Sequence, residues 1–465
     1  MKLLLGILIF LVGCSHSSSV SSLDDAGFVR RVKDFAFQKS YEPLPGLWVY
    51  QYIHKGSDLK ILLSPKSGSG AVAMATAYNV GSRFEEPGRT GLAHLFEHMM
   101  FRGTEHFAEP FKTLAEWGSN YNAFTTADIT LYHELVPSEV LPELIRFEAD
   151  RMRHLKIDEA GFNTERGAVV SERKMRTEDA PQGRLYWELF QTAFDTHGYK
   201  TSPIGWQEDL DRLQFADALD FYKRFYAPNR AVIALVGDFK IKDILQNFHA
   251  SMGLFKKVRW KEPEIKAEAP RSEVRRKTIG LKTESVIFAD AGFGKTFNDK
   301  GLEAASLFCS LLTDDKIGFL ANELVETQRL ARNLGASCSP TVDPGLWLVA
   351  VTANPGVGVE SIEKAYEKAL GGFEAWLSEA RLEQVKMLYL AGQWASLRDP
   401  GNLAEQLASH SIFTDNPIYE FEFVEQLNKV TLEQVRSAFR DWKQSRNTRV
   451  IIKPSERNDP FVRNL

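Results

Sequence analysis

Residues 94–98 read His-Leu-Phe-Glu-His, and this run constrains the chain more than any other. On a helix, His94 and His98 lie on one face a turn apart. Two imidazoles so placed can grip one metal ion, and Glu97 beside them can reach a water on that ion. Zinc chemistry asks for this set: neutral nitrogen ligands, an open coordination position and a carboxylate base. The flanks Gly91-Leu92-Ala93 and Met99-Met100-Phe101 supply an apolar face. The helix is therefore expected to be partly buried, starting near Thr90 as its N-cap. Burying two histidines and a carboxylate without a partner is costly, which weighs against two incidental surface histidines.

The chain has 465 residues, of which 44% are hydrophobic and 25% charged, with a formal charge of −4. That is ordinary globular composition and room for two or three domains. No basic stripe points to nucleic acid. Residues 1–13 read as a secretory signal: Met1-Lys2, an apolar run, then Leu11-Val12-Gly13-Cys14. The last four residues resemble a bacterial lipobox, which makes Cys14 the expected lipidated first residue of the mature chain. The Ser/His-rich residues 15–22 read as a flexible tether, and 14–40 as tether and lead-in. Serine after the cysteine resembles outer-membrane sorting, facing the periplasm. Two other cysteines remain, Cys309 in an apolar helical stretch, 304–312, and Cys338 in an expected strand, 335–339. Free buried thiols are the default; an export context also permits a disulfide.

Strands are expected at 46–53, 59–63 and 71–80, an alternating strand at 121–136, and a strand at 231–236. Helices are expected at 141–155, 158–178 and 213–225. Residues 253–277 are charged and proline-bearing and read as a linker. The order of elements then restarts, with strands near 285–291, 346–353 and 449–452 and helices at 300–312, 317–327, 361–380, 382–395 and 432–442. The reading is an α+β chain of two similar domains, 41–252 and 278–465, each a mostly antiparallel sheet flanked by helices.

Catalytic zinc usually takes three protein ligands plus water. Glu148, Asp150, Glu165 and Glu172 are the downstream candidates, and spacing alone does not choose among them. Glu165 and Glu172 are two helical turns apart and share a face, with Ala168, Val169 and Val170 packing that helix inward.

The motif is the reverse of H-E-x-x-H, a signature called inverzincin. With its surroundings it resembles the pitrilysin (M16) family of zinc metallopeptidases, in its small bacterial and mitochondrial-processing-peptidase-like branch. The matching segments are G-L-A-H-L-F-E-H-M-M-F-R-G-T at 91–104, Y-N-A-F-T at 121–125, E-A-D-R-M-R at 148–153, E-R-G-A-V-V-S-E-R-K-M-R at 165–176, and F-Y-A-P-N-R-A-V-I-A-L-V-G-D-F at 225–239. The resemblance implies two LuxS/MPP-like domains, one zinc ion, Glu172 as third ligand, Glu97 as general base and Glu165 as a supporting carboxylate. It implies that Asn122, Ala123 and Phe124 lie on an edge strand that binds an extended peptide substrate.

The second half departs from the family pattern. Active members usually supply an arginine and, seven residues later, a tyrosine from the C-terminal domain. In the comparable stretch, 323–336, Val325 and Arg332 stand at those places, with Arg332 expected at a helix end. No tyrosine occurs between Tyr226 and Tyr366. A second M16-like subunit carrying the pair is therefore an expected partner, with a homodimer as the alternative. The leading expectation is a lipid-anchored zinc endopeptidase of a bacterial envelope. The alternative is a non-catalytic scaffold subunit, against which the complete His94, Glu97, His98 and Glu172 set speaks.

Overall fold

The computed structural model describes residues 29–259, 261–269, 271, 273–461 and 463. The expected signal at 1–13, Cys14 and the tether at 15–22 lie outside the described residues.

The first half opens with β1 (Arg31–Val32), β2 (Phe35–Leu44), β3 (Leu47–His54), β4 (Lys60–Pro65) and β5 (Ala71–Tyr78). Helices α1 (Leu92–Met99) and α2 (Pro110–Glu116) lead to β6 (Asn120–Thr125) and β7 (Thr130–Pro137). Then come α3 (Leu141–Arg153), α4 (Glu159–Arg173), α5 (Pro181–Ala193), α6 (Gln207–Arg212), α7 (Phe215–Phe225), β8 (Ala231–Gly237) and α8 (Ile241–Met252). The strands form one sheet in the order β1-β2-β3-β4-β8-β5-β7-β6. Only β4 and β8 pair in parallel. The wholly buried Ala-Val-Ile-Ala-Leu-Val-Gly run of β8 sits mid-sheet, as a strand covered on both faces must. Residues 121–136, expected as one strand, are a hairpin. The Thr126 hydroxyl accepts from the amides of Asp128 and Ile129 and turns the chain.

The second half contains β9 (Arg275–Leu281), β10 (Ile287–Phe293), α9 (Leu302–Thr313), β11 (Ala331–Ser337), β12 (Leu346–Ala353), α10 (Val359–Trp376), α11 (Glu379–Arg398), α12 (Pro400–Phe413), α13 (Tyr419–Leu427), α14 (Leu432–Ser445) and β13 (Arg446–Pro454). Its sheet runs β11-β12-β10-β13-β9, with β13 and β9 parallel and the rest antiparallel. Read from its other end, this order repeats β4-β8-β5-β7-β6 strand for strand. The duplication is thus in topology, where residue-level similarity is weak. It reaches the helix starts: α1 and α9 each begin after a left-handed glycine, Gly91 at φ 90° and Gly301 at φ 81°.

The halves exchange helices. One face of the first sheet packs on α1, α3, α7 and α8. Its other face carries Ala73, Ala75 and Ala77 of β5 and is covered by Leu403, Ala404, Leu407 and Ala408 of α12, from the second half. Those alanines leave room for close approach. Reciprocally, Leu185, Leu189 and Ala193 of α5 cover Ile287, Ala289, Val450 and Ile452 of the second sheet. Each half therefore completes the other's core. Burying such apolar side chains contributes about 1.5–3 kcal/mol for each large one.

Candidate metal centre

Helix α1 is fixed at its start. The amides of Gly91 and Ala93 each donate to the Glu85 carboxylate at 2.8 Å. An acid there complements the positive end of the helix. Thr90 is not the cap: its hydroxyl donates to Asp209 at 2.7 Å and accepts from the Trp206 amide. A Cβ on Gly91 would lie 2.8 Å from Leu210 and 2.9 Å from the Ile204 carbonyl oxygen, so the turn needs glycine for space as well as for its φ.

Helix α4 packs beside α1 and carries Glu165 and Glu172 toward it, on the shared face their spacing implied. Glu172 Oε2 lies 3.7 Å from His94 Nε2 and 3.3 Å from His98 Nε2. The other Glu172 oxygen takes a 2.8 Å bond from Arg176 Nε. Glu165 Oε2 faces His98 Nδ1 at 3.3 Å, and its other oxygen faces Arg102. A carboxylate behind a ring nitrogen fixes the tautomer and aims Nε2 at the shared point. The remaining sequence candidates go elsewhere: Glu148 is buried against Arg151 and Glu134, and Asp150 bonds Thr104, His106 and His154.

The donor set fits a zinc-type ion. One donor atom from each of His94, His98 and Glu172 lies within 4.8 Å of the others. His94 is buried, and its Nδ1 has no hydrogen-bond partner among the described residues. Burial pushes His94 down to about 4, keeping it neutral as a ligand must be. Burial acts downward on His98 too, but hydrogen bonds to Glu165 and Glu172 prevail and raise it to about 9. Its bond from His98 holds Glu172 below the ordinary carboxylate range.

Glu97 follows one residue before His98 and is held from the sheet. The Thr125 hydroxyl donates to Glu97 Oε2 at 2.6 Å. Burial raises Glu97 above its ordinary value, and the Thr125 bond opposes that rise. Thr125 ends β6, the last strand of its sheet, whose outer edge has no partner strand among the described residues. A cavity of about 530 Å³ touches Glu97, His98, Glu165, Tyr121, Asn122 and Ala123. A second, of about 450 Å³, touches His94, Thr125, Arg176, Tyr186 and Tyr199. The two flank the imidazoles along the strand. Phe124 instead packs against the cluster on the other face of the sheet, so toward a ligand it offers main chain only.

Residues 60–205 match the family model described as Insulinase (Peptidase family M16), and residues 212–389 that of the Peptidase M16 inactive domain. The chain belongs to peptidase family M16. The zinc protease PqqE of Helicobacter pylori is 28% identical over 401 residues, covering 83% of this chain and 88% of that protein. A crystal structure of a protease from Helicobacter pylori superposes with a TM-score of 0.83 at 24% identity, covering 87% of this chain and 99% of that one. The periplasmic protease PqqL of Escherichia coli superposes at 0.70 and 18%, covering 90% of this chain but 48% of that one.

The second M16 half holds no counterpart of the metal set. Counted from the two left-handed glycines, the places of His94, Glu97 and His98 fall to Ala304, Leu307 and Phe308, all buried. Val325 packs against the second core. Arg332 is not at a helix end but exposed on β11. The cysteines are not free thiols: Cys309 of α9 and Cys338, just past β11, are joined in a disulfide with Cα atoms 6.3 Å apart. The packing of β11 against α9 brings them together.

Proposed function

We propose that this M16 chain is a zinc-dependent endopeptidase that hydrolyses peptide bonds in extended peptides or unfolded segments laid along β6. The observation that carries the reading is the meeting of His94, His98 and Glu172 at one point with Glu97 and an open strand edge beside it. His94, His98 and Glu172 would hold the ion, which when bound polarises the scissile carbonyl and acidifies a water. Glu97 takes the proton from the attacking water and returns it to the leaving amine. Thr125 keeps the Glu97 carboxylate turned toward that water. Main-chain groups of β6 pair with the substrate backbone, so selection rests on the flanking cavities rather than on a fixed sequence. Glu165 acts through His98 as a positioning residue.

The same reading assigns a place and a partner. Lipid on Cys14 anchors the chain in the bacterial envelope, on the outer membrane facing the periplasm. No helix among the described residues is long and apolar enough to cross a membrane. A second M16-like subunit supplies the missing arginine and tyrosine. PqqL, of which this chain matches about half, shows the fold occurring alongside as much chain again.

The test uses an unstructured reporter peptide and metal analysis at one equivalent of zinc. Glu97→Gln is expected to lose about 10²–10⁴ in rate and keep its zinc, whereas His94→Ala loses both the rate and the ion held at this centre. A Glu97→Gln protein that cleaves as fast as the wild type would overturn the reading.

A further inference from the structure

A second group of metal-ligating side chains lies just beyond α1. The loop leaving that helix is stitched to the end of α3: Lys156 donates its amide to the Gly103 carbonyl at 3.0 Å, and Glu105 to that of His154 at 3.1 Å. Within this seam stands Asp150, its side chain 7% exposed. One of its oxygens accepts from the Thr104 hydroxyl and from the His106 amide. The other faces two imidazole nitrogens at once, His106 Nδ1 at 2.9 Å and His154 Nδ1 at 2.7 Å. Glu105 Oε2 lies 3.9 Å from His154 Nδ1. One donor atom from each of Glu105, His106 and His154 falls within 4.8 Å of the others.

We propose that Glu105, His106, Asp150 and His154 form a second divalent-metal site, which takes a zinc-type ion and pins the loop between α1 and α2 to the end of α3. Ligands on bonds of about 2.0–2.1 Å around a tetrahedral ion sit roughly 3.3 Å apart. The separations here, 2.7, 2.9 and 3.9 Å, bracket that spacing. Two imidazoles and two carboxylates suit zinc among the metals that accept nitrogen and oxygen donors. Burial acts to raise Asp150, but its bonds from Thr104 and His106 prevail and hold it at about 2; it is an anion before any ion arrives. Coordination would replace two hydrogen bonds to one oxygen with bonds to the metal. Glu105 and His106 are exposed, whereas at the first centre His94 is buried and His98 and Glu172 are partly so, and an ion here therefore exchanges with solvent more readily and binds more weakly than one there. The pinned loop carries Arg102, Ala108 and Glu109, which line the larger cavity beside Glu97. Occupancy therefore restrains a wall of that cavity.

The full chain, stripped with chelator, is titrated with zinc alone by calorimetry and equilibrium dialysis. The wild type is expected to take two equivalents, the second at least about tenfold weaker. His106→Ala/His154→Ala keeps the tight equivalent and loses the weak one. His94→Ala/His98→Ala keeps only the weak one, so this result does not depend on the endopeptidase reading. His106→Gln, a change at a side chain 58% exposed, leaves the thermal midpoint unchanged and weakens the second equivalent at least about tenfold, the scale of a lost ligand contact. A wild type that takes one equivalent, or a His106→Gln protein that binds the second as tightly as before, overturns the proposal.

Discussion

Thr125 Oγ1 donates to Glu97 Oε2 at 2.6 Å, so the carboxylate beside the metal ligands is oriented from the strand whose edge lies open. In the reaction proposed above, a shift of β6 would turn Glu97 as well as a peptide laid along the strand, which couples binding to chemistry through one hydroxyl.

Thr125→Val keeps the shape and removes that hydroxyl. The rate constant kcat is expected to fall about ten- to a hundredfold, as misplacement of a reacting group costs. KM and zinc content stay close to wild type. Thr125→Ser restores the donor and most of kcat. Steady-state kinetics on the three proteins decide it, and a Val variant with wild-type kcat would show that Glu97 is placed by α1 alone.

Glu165 makes a different prediction, because it touches His98 and not the ion's shared point. Glu165→Gln still fills its place but no longer offers a charged acceptor to His98 Nδ1. Zinc affinity is expected to drop about 10–100-fold, with kcat recovering as zinc is raised. Competition with a chelator of known affinity measures the first effect. Failure of excess zinc to restore kcat would mean Glu165 takes part in the reaction itself.

How far the site could be read from the sequence depends on how local each relationship is. His94, Glu97 and His98 share one helix, and Glu165 and Glu172 another, so spacing alone put them on common faces. Thr125 was visible in its motif, but its bond to Glu97 depends on the β6–β7 hairpin register, in which Thr125 faces Thr130. The Glu85 cap crosses a turn with no pattern of its own. No helix is expected between 395 and 432, yet Pro400 occupies the first helical position after Asp399, whose side chain accepts from Asn402, and α12 starts there. Nothing in α12 or α5 says that each will cover the other half's sheet. An amphipathic helix declares its apolar face and not its partner.

The helix exchange is joined by a polar seam whose response to acid has a definite sign. Arg83 bonds Asp343 at 2.5 Å and Asp128 at 3.1 Å, and His197 Nε2 faces Asp343 at 3.2 Å. The His197 bond leads the causes that hold Asp343 below its ordinary value. Its contribution to stability is therefore complete above the unfolded value, about 4, and drains away as pH falls through the lower folded value. Asp343→Asn should lower the denaturation midpoint at neutral pH. The gap from wild type should close progressively below about pH 4. Denaturant titrations across pH 3–7 check this, and a gap that stays constant in acid would assign it to packing instead of charge.

The last prediction concerns the partner. In the proposed reaction, water activation by Glu97 draws on nothing from the second half, but an oxyanion developing on the scissile carbonyl needs donors aimed at it. Losing one such donor costs on the order of 10²–10³ in rate. Val325 has no donor and packs against the second core, while Arg332 sits exposed on β11. Ala304, Leu307 and Phe308, at the places of His94, Glu97 and His98, offer no metal ligand and no base. The catalytic set proposed above thus lies wholly in the first half, and the second half places no arginine–tyrosine pair where the family pattern has one, so the proposed partner is the expected source of the donors. A second M16-like subunit bearing the arginine and tyrosine should copurify from native membranes. Mixing it with this chain should raise peptide cleavage about 10²–10³-fold over either alone, and replacing the partner's arginine should return the mixture to the basal rate. If this chain by itself, as monomer or homodimer, cleaves as fast as the complex, the donors are its own, and Arg332→Ala becomes the variant that must lose activity.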